Sequence, residues 1–309
     1  MTAFVDNAES YLAFRRSLGA KLEDAGRLLP RFVAHLDSIG AETITVRDAL
    51  SWAQEPTAEP PTTVWARRLS AVRGFARYMT AVDPRTEVPP PGLMVWPRQR
   101  RLPFIYTPEE VAALRNQARS TLGPPLRAAT FDTLIGLLAC SGMRVGEVLH
   151  LASTDIDGSQ GVLSVGASKF GRSRQLPLHP STTDALAQYA RQRNRHLHSV
   201  AAKSFFVSAA GTPLIYSTVR RTFSTLVERS GVAAGSPIQP HIHDFRHAFA
   251  VRTLIDWHQD GGDVAARMPW LSTYLGHREP RYTYWYLTAV PELLAIAADR
   301  LEAAQEVRP

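Results

Sequence analysis

Apolar residues recur at three- and four-residue spacing over four stretches of the first third of the chain: Phe4 to Leu18, Leu28 to Ile39, Val46 to Trp52 and Val64 to Met79. That period is one face of an α-helix and predicts a helical domain. It breaks between Asp83 and Pro103, DPRTEVPPPGLMVWPRQRRLP, where repeated prolines exclude a regular helix and predict an extended, semi-stiff connector. Helical spacing resumes behind Thr107, Pro108, Glu109 and Glu110, which read as an N-cap, a first-turn proline and two acids set against the helix dipole. One interruption comes later, where β-friendly runs at Val162 to Val165 and Gln175 to Leu178 flank a turn containing Gly171 and predict a hairpin. Further helices are expected from Ser181 to about Arg195, from Ser217 to Ser230 and from His243 to Trp257, the last ending before Gly261, Gly262 and Asp263. The pattern predicts a mainly α protein with a small β-hairpin: a helical domain over 1–84, a Pro/Arg-rich linker over 85–104 and a larger α+β domain over 105–309.

Composition narrows the partners. At 309 residues, with 45% hydrophobic and 20% charged content, the chain has the make-up of two modest folded domains. Its formal net charge of +7 is almost all arginine, since Lys21, Lys169 and Lys203 are the only lysines. Such a balance favours a polyanion, because basic side chains on a DNA backbone release condensed counterions. The single cysteine, Cys140, excludes an intrachain disulfide and a cysteine-built zinc site, and predicts a reducing, cytoplasmic setting. No apolar run approaches the roughly 18 residues of a membrane span, so no membrane partner is expected.

Four segments carry candidate chemistry. SGMRVGEVLHL sets Arg144 and Glu147 three residues apart, as an ion pair on one helical face. Lys169 sits in the hairpin turn, where an ammonium, unlike guanidinium, can release its proton; a solvated turn residue is the ordinary alternative. HIHDFRHAFA places His243 and Arg246 one helical turn apart, with His247 beside them. Arginine supplies a planar fork and histidine a proton donor or acceptor near neutral pH, a combination that suits a phosphate better than a metal. Finally, His277 precedes Tyr282, Tyr284 and Tyr286, an aromatic cluster that is either packing or the home of a nucleophile.

Taken in order, Arg144, Lys169, His243 with Arg246, His277 and Tyr286 resemble the residue set of the tyrosine recombinase (phage integrase) family. The strings SGMRVGEVLHL, SKFGRSRQLPLH, HDFRHAFA and LGHREPRYTYWYL carry the likeness, which spans about Thr107 to Leu301. PFIYTPEEV, and STYLGH followed by TYWYL, look like the integrases of multi-gene transposable elements. Two departures stand out: WHQDGGDVAARMPW, from Trp257 to Trp270, lengthens the segment between Arg246 and His277, and Phe245 stands where leucine is more usual.

The resemblance implies a helical core-binding domain and a catalytic domain that together clamp duplex DNA. It selects Tyr286 over Tyr282 and Tyr284 as nucleophile and assigns Arg144 and Arg246 to the scissile phosphate. Lys169 becomes the general acid, His243 handles protons near Tyr286, and His277 hydrogen-bonds a phosphate oxygen; Glu147 and His247 support them. Arg67, Arg68, Arg73 and Arg77 on the last helix of the first domain, and Arg172 in the hairpin turn, are the implied DNA contacts. The expected activity is strand cleavage and rejoining through a 3′-phosphotyrosine, without metal, ATP or cofactor, by a tetramer on DNA in the nucleoid, alongside partner recombinases of the same element. Pro291 to Leu301 is the implied docking helix for a neighbouring protomer, with packing on its own domain as the alternative. A catalytically silent DNA-binding accessory protein of the same fold and a type IB topoisomerase are the competing expectations.

Overall fold

The computed structural model describes residues 3–56, 61–94, 101–166, 173–197, 203–277 and 279–289, with the side chains of 61–63, 288 and 289 left out. The chain divides into two compact units, 1–101 and 102–309.

In unit 1, α1 (Ala3–Ser17), α2 (Glu23–Ser38), α3 (Val46–Ala53) and α4 (Pro61–Met79) follow the apolar spacing closely. Tyr11 and Leu12, then Leu29, Phe32, Val33 and Leu36, Trp52, and Leu69, Val72, Phe75 and Met79 converge on one core. Each such side chain taken out of water contributes about 1.5–3 kcal/mol. Helix α2 begins ahead of the expected Leu28, behind a left-handed Leu22 that offers no side-chain cap, and carries Pro30 on its exposed face. The proline-rich stretch is strapped down where it leaves α4. The Glu87 amide donates to the Ile44 carbonyl at 2.8 Å, its carboxylate accepts from the Val46 amide at 2.7 Å, and Arg73 donates to the carbonyls of Pro89 and Pro90 at 2.7 and 3.0 Å. The other end of the expected linker is equally engaged, with Phe104 in the core of unit 2.

Unit 2 runs through α5 (Pro108–Thr121), α6 (Pro125–Ser141), α7 (Val145–Leu149), β1 (Ile156–Asp157), β2 (Val162–Val165), β3 (Arg174–Pro177), α8 (Pro180–Leu197), α9 (Tyr216–Ser230), α10 (Asp244–Gln259), α11 (Val264–Leu275) and α12 (Arg281–Ala289). Thr107 and Glu110 close a reciprocal cap on α5, as the sequence predicts: the Glu110 amide donates to the Thr107 hydroxyl at 3.2 Å and the Thr107 amide to the Glu110 carboxylate at 2.9 Å. Helix α6 buries apolar residues around most of its circumference and packs against α5, α8 and α10, which makes it the axis of the unit. The expected hairpin is β2–β3, with Leu163 paired to Leu176 and Val165 to Arg174; a two-residue β1 adds a third antiparallel strand that is too short to show alternation. Among the described residues no helix is long and apolar enough to cross a membrane.

Candidate active site

A helix leaves its last carbonyls without intrahelical partners and partly negative. Helix α11 stops at Gly276, in left-handed backbone (φ 65°). Three arginines from distant parts of the sequence occupy the carbonyls left there. Arg174 Nε donates to Tyr274 O at 2.7 Å, Arg246 Nη2 to Leu275 O at 2.6 Å, and Arg144 Nη2 to Gly276 O at 2.9 Å. The φ of Gly276 favours glycine, and a Cβ there would fall 2.9 Å from Arg174 Nη1 and push the guanidinium from its place. Arg246 also reaches the end of α6, donating from Nη1 to the carbonyl of Gly142 at 2.8 Å. The C-termini of two helices thus hold the guanidinium groups in one place.

Glu147 joins two of them. Its carboxylate accepts from the Arg144 amide and from Arg144 Nη1, both at 2.9 Å, and from Arg174 Nη1 and Nη2 at 3.1 and 2.8 Å. Burial alone would push this carboxyl up; the bonds from Arg174 and Arg144 outweigh it and hold Glu147 down at about 2. The pairing expected along one helical face has a different geometry. Arg144 stands in extended backbone just ahead of α7, which lets Glu147 fold back onto its amide. Arg174 was not among the residues anticipated from sequence, because its partners are contributed by α7 and the end of α11.

Arg246 is 3% exposed, and among the described residues no carboxylate lies within ion-pair distance of it. Burial first, and the nearby Arg144 second, lower its pKa to about 10, which leaves it charged at neutral pH. Arg144 beside it is more open, with 37% of its side chain exposed. A buried cation facing a second cation is costly unless an anion completes it.

The aromatic residues surround this pair. His243 immediately precedes α10 and stands edge-on to His247 at 5.3 Å between ring centroids; His247 lies 5.5 Å from Tyr286, and His277 lies nearly parallel to Tyr286 at 6.2 Å. Burial and then Arg246 push His243 down; burial, then Arg246, Arg144 and Arg174, push His277 down to about 3. Both imidazoles are therefore neutral near pH 7. Tyr282 and Tyr284 are 37% and 47% exposed, whereas Tyr286 is 2% exposed and packs with Val251, Met268 and Leu275 on the inner side of α12.

The structure thus brings Arg144, Glu147, His243, Arg246, His247, His277 and Tyr286 together. Lys169, Arg172 and the segment from Pro291 to Leu301 lie outside the described residues. In unit 1, Arg68 donates to the carbonyls of Trp52, Ala53 and Glu55 at 3.1, 3.3 and 3.0 Å, capping the end of α3, and Arg73 is held by the proline strap; Arg67 is half-buried and Arg77 exposed. Among the described residues no group of three His, Cys, Asp or Glu side chains is placed to hold a metal ion.

A helical unit with a small antiparallel sheet, built around three arginines, three histidines and an inward tyrosine, defines a class, and comparison with known proteins supplies it. Residues 105–292 match the model of the phage integrase family, and the chain belongs to that family, among the tyrosine recombinases. It is 40% identical to the putative integrase/recombinase y4rB of Sinorhizobium fredii over the full length of both chains, and 30% identical to the tyrosine recombinase XerD of Caulobacter vibrioides over 90% of this chain and 86% of that one. The fold is that of solved integrase structures. It matches the Tn1549 transposon integrase in complex with transposon right-end DNA with a TM-score of 0.63 at 15% identity, covering 96% of this chain and 98% of that one. A lambda integrase tetramer bound to a Holliday junction matches with a TM-score of 0.59 at 20% identity, covering 91% and 76%.

Proposed function

We propose that this chain is a site-specific DNA recombinase that cleaves and rejoins strands through a 3′-phosphotyrosine at Tyr286, in the service of a mobile element. The observation that carries the reading is Arg246: a buried guanidinium beside Arg144, with no carboxylate paired to it among the described residues and with His277 and Tyr286 close by. That is the electrostatic outline of a phosphodiester site, where charge builds on non-bridging oxygens and fixed donors stabilise it.

In this reading Arg144 and Arg246 hold the scissile phosphate. The Tyr286 oxygen attacks phosphorus as its phenolic proton passes to solvent or to a neutral imidazole, for which His243 is the candidate base. The bond to the 5′ oxygen breaks, and that oxygen takes a proton from Lys169. Oriented proton transfer of this kind contributes about 10² to 10⁴ in rate. The phosphotyrosine conserves the energy of the broken bond, so a 5′ hydroxyl from a second strand reverses the step without ATP. Joining two sites needs several protomers, and the lambda integrase tetramer bound to a Holliday junction supports a tetramer on DNA here. The transposon integrase neighbour supports the mobile-element setting, with partner recombinases as a further expectation.

The test is to incubate the protein with nicked duplexes from the DNA flanking its gene and look for a covalent adduct on denaturing gels. The expected result is an adduct that maps to the peptide bearing Tyr286 and is abolished in Tyr286→Phe, with duplex binding retained. An undiminished adduct in Tyr286→Phe would remove this tyrosine from the mechanism; retained binding with no adduct from the wild type would favour the accessory-protein reading.

A further inference from the structure

The nearest hydrogen-bond partner of His277 is a threonine that the mechanism does not use. Thr283, in the first turn of α12, is 0% exposed, and its Oγ1 lies 2.7 Å from His277 Nδ1. Two assignments of the protons fit that distance. Either Nδ1–H donates to the hydroxyl oxygen, or the hydroxyl donates to a bare Nδ1. They differ in what becomes of the hydroxyl proton. Among the described residues Thr283 Oγ1 has no second hydrogen-bond partner, and it does not make the back-bond to a preceding-turn carbonyl that threonine often makes in a helix. If Nδ1 were the donor, the hydroxyl proton would be stranded in the interior, and a fully buried unsatisfied donor is strongly disfavoured. The second assignment satisfies both groups. The branched Cβ of threonine, stiff about χ1 inside a helix, keeps the hydroxyl aimed at the ring.

We infer that Thr283 is a positioning residue that fixes His277 in the neutral tautomer with its proton on Nε2, so that the ring can only donate a hydrogen bond from that atom. The inference rests on the recombinase reading for its consequence, since an Nε2–H donor serves an anionic phosphate oxygen and a bare Nε2 would repel it. It also gives the two histidines different duties. His243, whose ring shows no comparable partner among the described residues, is left to exchange protons, while His277 is locked as a donor.

The full-length protein with ¹⁵N-labelled histidine is examined by long-range ¹⁵N–¹H correlation near pH 7, the His277 signals being identified by their loss in His277→Asn. The expected pattern is a pyridine-type Nδ1 and a pyrrole-type Nε2; a pyrrole-type Nδ1 overturns the proposal. Rates of adduct formation on nicked duplexes are measured in parallel. Thr283→Val should slow cleavage roughly tenfold to a hundredfold, the range for loss of a partner that orients a working histidine, and Thr283→Ser, which keeps the hydroxyl, should restore most of the rate. In a His277→Ala background Thr283→Val should add nothing. Wild-type cleavage by a folded Thr283→Val protein overturns the proposal, as does a valine-sized loss in Thr283→Ser. A wild type that shows the expected tautomer but forms no adduct would count against the recombinase reading and leave the assignment of the proton standing.

Discussion

At the scale of single residues, the site is a problem in placing like charges. Arg144, Arg174 and Arg246 crowd the end of α11; on top of burial, Arg144 and Arg174 lower the affinity of Arg246 for a proton, and all three lower that of His277. Among the described residues Glu147 is the one carboxylate ion-paired with any of them, and it takes a bidentate fork from Arg174 rather than from Arg246. Arg174 and Glu147 are both largely buried, with 11% and 8% of their side chains exposed. Arg174→Met would therefore strand half of a buried ion pair, which costs about 3–5 kcal/mol when nothing replaces the missing partner. Because Arg144 still holds Glu147, a loss of about 3 kcal/mol in urea unfolding is expected. Adding Glu147→Gln should cost much less in that background than in the wild type, with a coupling of at least about 1 kcal/mol. Two losses that simply add would mean that the pair is not a unit. Sequence alone could not reach Arg174 or Thr283. Arg144, Arg246 and His277 sit in motifs whose spacing is visible along the chain, whereas Arg174 and Thr283 acquire their partners only when distant segments, or the turn that joins α11 to α12, have folded.

At the scale of elements, helix ends do most of the positioning. Where the end signals are local they are legible: Thr107, Pro108 and Glu110 announce α5, and its reciprocal cap forms. Where they are not, the boundary moves; α2 opens behind Leu22 without a polar cap, and α7 begins one residue after Arg144 and so changes the meaning of the Arg144–Glu147 spacing. Two glycines end α6 and α11 and lend their carbonyls to Arg246 and Arg144. Both have left-handed backbone, φ 58° at Gly142 and 65° at Gly276, and at Gly142 a Cβ would meet Phe249 at 2.5 Å. A left-handed non-glycine costs about 1–2 kcal/mol before any collision. Gly276→Ala should lower stability by at least that much, and because the added methyl pushes on Arg174 it should depress the rate of adduct formation more than duplex affinity. Equal falls in rate and affinity would assign the glycine to DNA binding instead of to the alignment of the arginines.

For the molecule as a whole, the net charge of +7 says less than its distribution. Residues 67–101 hold eight arginines against two acids, Asp83 and Glu87, whereas residues 1–66 hold six basic and nine acidic side chains. The basic character of unit 1 is thus confined to α4 and the proline-rich stretch behind it, but not all of that charge is offered outward. Arg68 caps α3 and lies over the Trp52 ring at 5.3 Å, Arg73 binds the proline strap, Arg85 pairs with Asp83 at 3.1 Å, and Arg77 is exposed. The four arginines of α4, equivalent in the sequence, therefore separate into structural and available groups. Binding to a duplex from the DNA flanking the gene, followed by anisotropy across a salt series, should distinguish them. Removing one side chain that neutralises a phosphate shifts the slope of log affinity against log salt by about one unit. Arg77→Ala is expected to flatten that slope by about 1 and leave unfolding unchanged. Arg68→Ala should leave the slope alone and destabilise unit 1 by about 1–3 kcal/mol, the cost of carbonyls left without their donor. The opposite outcome, an Arg68 variant that is stable but has a flattened salt slope, would mean that its bonds to α3 give way to phosphate when DNA binds.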